Sequence, residues 1–138
     1  ARGIVFEPAD ILDPAGLARA MSPADTVIHC AGRYGDWGSY RDFHRDNVVG
    51  TRNVVAACRQ HGIRKIVFVS TPSMYFNGHD RHDVREDEPL PEQAMAYGRS
   101  KRIVEHELQG LLEGVTVGQA AGRVLNWRPY GAQKNGVK

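Results

Sequence analysis

Two short apolar runs, DTVIHC at residues 25–30 and KIVFVS at residues 65–70, set branched and apolar residues side by side with no polar alternation. A strand with one wet face alternates, so such runs predict strands buried on both faces, as in a parallel sheet. The stretches around them carry helical spacing. Asp13-Pro14 supplies an N-cap and a first-turn proline for a helix through Leu17 and Ala20 to Met21. From residue 39 to 60, Phe43, Val48, Val54, Val55, Ala57 and Cys58 recur at steps of three and four, which predicts one long helix ended by His61-Gly62. Residues 95–112 form a third helix, with Ile103, Val104, Leu108 and Leu111 on its apolar side. Residues 4–6 read as a short strand, 31–38 as a glycine-rich loop and 123–127 as a last strand. Residues 71–93 read as a loop with a short extended piece at 74–76, and 113–138 show no reliable period. Alternating strands and helices predict an α/β fold, a doubly wound parallel sheet with helices on both faces. Ligands of such sheets bind beyond the carboxyl ends of the strands, which singles out Asp10, Ala31-Gly32, Ser70-Thr71 and Pro129.

Composition narrows the function classes. The chain has 138 residues, 41% hydrophobic and 25% charged, with a net charge of +2. That excess is too small to drive sequence-independent binding to nucleic acid or membrane. The apolar runs are strand-sized and span no bilayer. The two cysteines, Cys30 and Cys58, read as buried thiols of a reducing compartment and point to a cytoplasmic setting. The chain opens Ala1-Arg2-Gly3 with no initiator Met and no signal-peptide pattern, which reads as a segment of something longer.

The residues that carry chemistry are Tyr97 and Lys101, four apart at the start of the third helix and so on one face. An ammonium one turn from a phenol favours its ionised form and makes the pair an acid–base device. Thr71, after a strand, can hydrogen-bond the same oxygen, with Ser70 and Ser73 as neighbouring hydroxyls. This set suits oxidation of an alcohol or reduction of a carbonyl, and because side chains accept no hydride it requires a nicotinamide, NAD or NADP. Spacing alone is weak: Tyr130 and Lys134 share it, but glycines follow Tyr130 and no hydroxyls precede it.

The ordered set PADILD (8–13), DTVIHCAG (25–32), GDWG (35–38), NVVGTRNVVAAC (47–58), VSTPSMYFNG (69–78) and YGRSK (97–101) resembles the extended short-chain dehydrogenase/reductase family, the NAD-dependent epimerases and dehydratases. Several pieces are similar to its 3β-hydroxysteroid dehydrogenase branch. The resemblance implies a Rossmann domain in which Asp10 and Ile11 meet the adenine, Ala31 and Gly32 line the cofactor channel, and Asn47 braces the site. Thr71 would hold the substrate oxygen, Tyr97 would be the acid or base, and Lys101 would bind the nicotinamide ribose. Pro129, with Tyr130, would pass near the nicotinamide. Residues 1–138 would then be an incomplete dinucleotide-binding domain without its first βαβ unit, which carries the glycine fingerprint, and without the C-terminal substrate region. Gly32, Gly35 and Gly38 imitate that fingerprint, but the strand after them ends in Ser-Thr rather than an acidic residue for a ribose.

The implied activity is oxidation of a secondary alcohol, 3β-hydroxysteroid-like, or reduction of the ketone. A sugar-nucleotide epimerase or dehydratase and a truncated, inactive copy remain as alternatives. Expected partners are a small-molecule substrate and a second copy of the chain, with no nucleic acid. His79, Asp80, His82 and Asp83 read as a solvated charged loop rather than a metal site. His29 reads as a packed histidine with one hydrogen bond, and Trp37 and Trp127 as core or rim aromatics.

Overall fold

The computed structural model describes residues 3–22, 24–79, 81–85, 88–92, 95–111, 116–119 and 124–127. Helix α1 (Pro14–Met21) starts where the sequence predicts: the Asp13 carboxylate accepts the Ala15 N–H, and Pro14 occupies the first turn. Strand β1 (Thr26–His29) leads through the glycine loop to a continuous helical rod. Its parts are α2 (Tyr40–Phe43), a π-helical stretch (His44–Val49) and α3 (Gly50–Gln60). Ser39 caps the rod by accepting the Asp42 N–H, and Gly62, at φ +65°, stops it in the left-handed conformation that glycine adopts without steric cost. Strand β2 (Lys65–Phe68) follows, then a 3₁₀ turn (Pro72–Tyr75), β3 (Arg81–Arg85), α4 (Ala96–Leu111), β4 (Thr116–Gln119) and β5 (Val124–Trp127).

Strands β1, β2 and β4 form a parallel sheet in the order β1-β2-β4, with Lys65 paired to Thr26 on one side and to Thr116 on the other. Ile66 and Phe68 project from β2 into a core built from Leu17 of α1, Val48, Val54, Val55, Ala57 and Cys58 of the rod, and Val104 and Leu108 of α4. Burial of each Val, Leu, Ile or Phe side chain among them contributes roughly 1.5–3 kcal/mol before entropy is counted. The result is a partial Rossmann-like α/β domain.

Several expectations change. Among the described residues, helices cover one face of the sheet, and Ile28 on the other face is 68% exposed, so β1 is not buried on both sides. Cys30, just past β1, is exposed, while Cys58 is buried as expected. Residues 4–6 form no strand; Ile4, Val5 and Phe6 lie exposed without a ladder partner among the described residues. The extended piece expected at 74–76 is the 3₁₀ turn, which Thr71 caps. Inside the expected loop, β3 pairs antiparallel with β5, so the strand foreseen at 123–127 leaves the parallel sheet and β4 takes its place. Only Val84 of β3 is buried, which is why RHDVR shows no period.

Candidate active site

Beyond the carboxyl end of β2 the chain turns through Val69, Ser70 and Thr71. The Thr71 side chain is buried; its Oγ1 accepts the Ser73 N–H at 3.2 Å and shares a hydrogen bond with the Ser73 hydroxyl at 3.0 Å. Ser70 Oγ is buried without a hydrogen-bond partner among the described residues, an orphan that a polar ligand would satisfy. Helix α4 packs against this turn and against the π-helical stretch. Lys101, 5% exposed, donates from Nζ to the Val69 carbonyl at 2.9 Å and stands 4.4 Å over the Phe68 ring. Burial pushes its pKa below the ordinary lysine value, with Glu105 and Cys30 opposing. Tyr97, one turn earlier, is half-buried with its ring 6.1 Å from that of Phe43. Lys101 is therefore tied to Val69, two residues before Thr71, in the turn that follows β2. No hydrogen bond joins Lys101 to the Tyr97 hydroxyl among the described residues, whose nearest tie is through the shared helix turn.

Asn47 binds this corner to the loop after β1. Its Oδ1 accepts the Arg33 N–H at 2.7 Å, and its Nδ2 donates to the Arg33 carbonyl at 3.0 Å and to Ser100 Oγ at 2.8 Å. Ser100, fully buried, donates in turn to the Tyr97 carbonyl at 2.7 Å. Gly32 sits at φ +154°, and a Cβ there would lie 2.7 Å from Asn47 Oδ1. A side chain at this position would therefore press on the buried Asn47 amide. His29, 4% exposed, makes the single expected hydrogen bond, Nε2 to Thr51 Oγ1 at 2.9 Å. Desolvation, then the Lys101 charge, lowers its pKa to about 4.

A second feature is a cleft of about 470 Å³ lined by Asp10, Ile11, Leu12, Gly32, Arg33, Tyr34 and Asp46. Asp10 Oδ1 accepts the Leu12 N–H at 2.8 Å, closing a tight turn, and Asn53 Nδ2 holds the Ile11 carbonyl at 2.9 Å. Gly50 leaves room for the Ile11 side chain, which would lie 2.6 Å from a Cβ there. On the opposite wall Arg33 pairs with Asp46 at 2.7 Å, and Arg45 and Arg33 together hold the Asp46 carboxyl below its usual range. Asp10, Ile11 and Gly32 are thus gathered in one cleft; Ala31 is exposed at the end of β1 outside its lining. Trp37 is 92% exposed rather than a core aromatic. Pro129 and Tyr130 lie outside the described residues. Sequence reasoning missed Ser100, Thr51, Gly50 and Asn53; a glycine inside a helical pattern was the one readable signal, since it marks a close approach.

Parallel strands with helices on one face, Lys101 tied to the turn after the middle strand and an open cleft beside the loop after β1 define a Rossmann-like α/β domain. The model of the NAD dependent epimerase/dehydratase family matches residues 2–135, and the chain belongs to that family. It is 37% identical over 123 residues to a 2-alkyl-3-oxoalkanoate reductase of Stenotrophomonas maltophilia, covering 87% of this chain and 37% of that protein. It is also 37% identical over 106 residues to the sterol-4-alpha-carboxylate 3-dehydrogenase ERG26, decarboxylating, of Saccharomyces cerevisiae, with 74% of this chain and 30% of that protein covered. The structure is similar to UDP-glucose 4-epimerase from Brucella ovis in complex with NAD, with a TM-score of 0.71 and 30% identity, covering 80% of this chain and 36% of that one. The chain thus spans about a third of the length of these relatives. No described helix is long and apolar enough to cross a membrane.

Proposed function

We propose that these residues supply the proton-transfer corner and the adenosine-side cleft of an NAD(P)-dependent oxidoreductase acting on a secondary alcohol or its ketone. The observation that carries the reading is the buried Lys101 ammonium on the Val69 carbonyl, which ties the α4 turn that also carries Tyr97 to the segment leading from β2 to Thr71. Burying an ammonium is costly, and a fold retains one where its charge has work to do. The residues present fit part of a dinucleotide. Asp10, Ile11 and Gly32 would take the adenosine end, and Lys101 the nicotinamide ribose. The family's pyrophosphate-binding glycine loop would come from chain outside these 138 residues, so the reading makes residues 1–138 the middle of a larger NAD(P)-binding domain.

When bound, the nicotinamide supplies the site for hydride transfer. Thr71 and Ser73 orient the substrate oxygen through their linked hydroxyls. Tyr97 exchanges a proton with that oxygen through its phenol, taking it in oxidation and giving it in reduction. The names of the reductase and the sterol dehydrogenase both place the reaction at an oxygen-bearing carbon 3, which supports a 3-hydroxy or 3-oxo substrate, 3β-hydroxysteroid-like among them. The likeness to NAD-bound UDP-glucose 4-epimerase favours a second reading, epimerisation of a sugar nucleotide with retained cofactor. Nicotinamide absorbance separates the two in the whole protein. Net change with a 3β-hydroxysteroid and NAD, or with a 2-alkyl-3-oxo acid and reduced nicotinamide, supports the oxidoreductase. Turnover of UDP-glucose without net change supports the epimerase. Undiminished turnover in Tyr97→Phe would overturn the acid–base assignment in both.

A further inference from the structure

We infer that His29 and Thr51 are positioning residues for the Tyr97–Lys101 turn, acting through a buried chain of hydrogen bonds that runs across the π-helical stretch; the inference rests on the acid–base reading above. Thr51 Oγ1 donates to the Asn47 carbonyl at 2.6 Å, so its only proton is committed. The 2.9 Å contact with His29 must then be a donation from His29 Nε2–H, which fixes the imidazole as that tautomer and leaves Nδ1 without a proton in the neutral ring. On the far side of the same residue, the Asn47 side chain donates to Ser100, and Ser100 donates to the Tyr97 carbonyl.

Direction is consistent along the whole chain: imidazole to hydroxyl to Asn47 backbone, then Asn47 amide to hydroxyl to Tyr97 backbone. All four linking side chains are at most 5% exposed, so water offers no substitute partner for any of them. The middle link lies in the π-helical stretch, where the backbone departs from regular α-helical bonding. Thr51, bonding back one turn onto the Asn47 carbonyl, supplies a side-chain bond at that irregular point. His29 in turn holds Thr51 from the end of β1. The effect is to tie a strand terminus, through one irregular helix turn, to the first turn of the helix that carries Tyr97 and Lys101.

The test measures amide hydrogen exchange across the whole protein, with His29→Leu and Thr51→Val as breaking variants and His29→Gln and Thr51→Ser as donor-preserving ones. Both breaking variants are expected to speed exchange over residues 97–101 roughly tenfold, as loss of a buried bond allows, and to leave α1 unchanged. The Gln and Ser variants are expected to restore it. Unchanged exchange at 97–101, equal acceleration in α1, or no rescue overturns the inference. If His29→Leu fails to fold, the Thr51 pair carries the same comparison. In the nicotinamide assay with a 3β-hydroxysteroid, the breaking variants should lower kcat and leave the KM for NAD unchanged. A fall confined to KM counts against positioning. Tyr97→Phe run alongside keeps the two ideas apart. Full turnover there removes the acid–base reading and leaves the exchange result standing. An inactive Tyr97→Phe beside unaltered exchange in the breaking variants removes only the positioning role.

Discussion

The proposed proton-transfer corner and the proposed adenosine-side cleft are both bonded to Asn47 and are built in opposite ways. In the corner, Thr71, Ser100 and Lys101 are buried on or beside regular elements, and their polar atoms bond to backbone of the 3₁₀ turn, of α4 and of the residue just past β2. In the cleft, Asp10, Gly32, Arg33 and Tyr34 sit on exposed loops pinned at few points, chiefly Asn53 on Ile11 and Asn47 on Arg33. Reacting groups need fixed geometry, whereas a nucleotide is held by many modest contacts. Damage to the corner should therefore appear in rate and damage to the cleft in affinity. The sharpest break of that contrast is Tyr97→Phe. Loss of a general acid or base should lower kcat by about 10²–10⁴-fold, while NAD affinity, read by fluorescence titration, stays near wild type. An equal loss of NAD affinity would merge the two regions.

The corner should also govern acid stability. His29 has a pKa of about 4 when folded against 6.5 for the free group, so between those values the unfolded chain binds more protons. Its contribution is complete above about pH 6.5, declines as pH falls, and levels off below about 4, a total of about 3 kcal/mol. Urea unfolding of the whole protein at neutral pH and at pH 4 should show this decline, and His29→Gln, which keeps the donor and removes the titration, should flatten it. On the cleft side, Asp46 owes its lowered pKa to exposed arginines, and surface pairs of that kind contribute little. A decline that persists in His29→Gln would place the acid-sensitive group elsewhere.

Much of the α/β frame was legible because local signals carry it. Asp13-Pro14, Ser39 and Gly62 mark helix ends by their own chemistry, and Ile66 and Phe68 mark a buried strand by composition. What stayed hidden depends on partners distant in the chain. Strand β3 has one buried residue and exists through pairing with β5, and Ile28 looks like core until its sheet face is seen uncovered. The Tyr97–Lys101 spacing and the glycine at 32 were readable; the network through Ser100 and Thr51 was not, since serine and threonine in a helix are usually unremarkable and only the fold brings them to Asn47.

Gly32→Ala tests the seam between the regions. At φ +154° a side chain is strained in any surroundings, and the new Cβ would press on Asn47 Oδ1. Together these should destabilise the whole protein by about 2 kcal/mol in urea unfolding. Because Asn47 serves both sides, this variant should lower kcat and NAD affinity together, unlike Tyr97→Phe. A loss in affinity alone would mean that Asn47 braces only the loop.

The smallest effect belongs to Asn53→Ala. Asn53 reaches from α3 to the Ile11 carbonyl, and its removal unpins the loop that forms one wall of the cleft. The carbonyl is only partly buried, so water can replace the lost donor and the stability cost should be about 1 kcal/mol. Among the described residues its side-chain bond runs to Ile11 in the cleft wall, so kcat at saturating NAD should hold while NAD affinity weakens about fivefold, the factor equivalent to about 1 kcal/mol of loop ordering. An unchanged affinity would show that the wall keeps its shape through the Asp10 turn and the Ile11–Gly50 contact alone. A fall in kcat instead would show that the loop is mechanically coupled to α4, and the separation between the two regions would fail at its weakest joint.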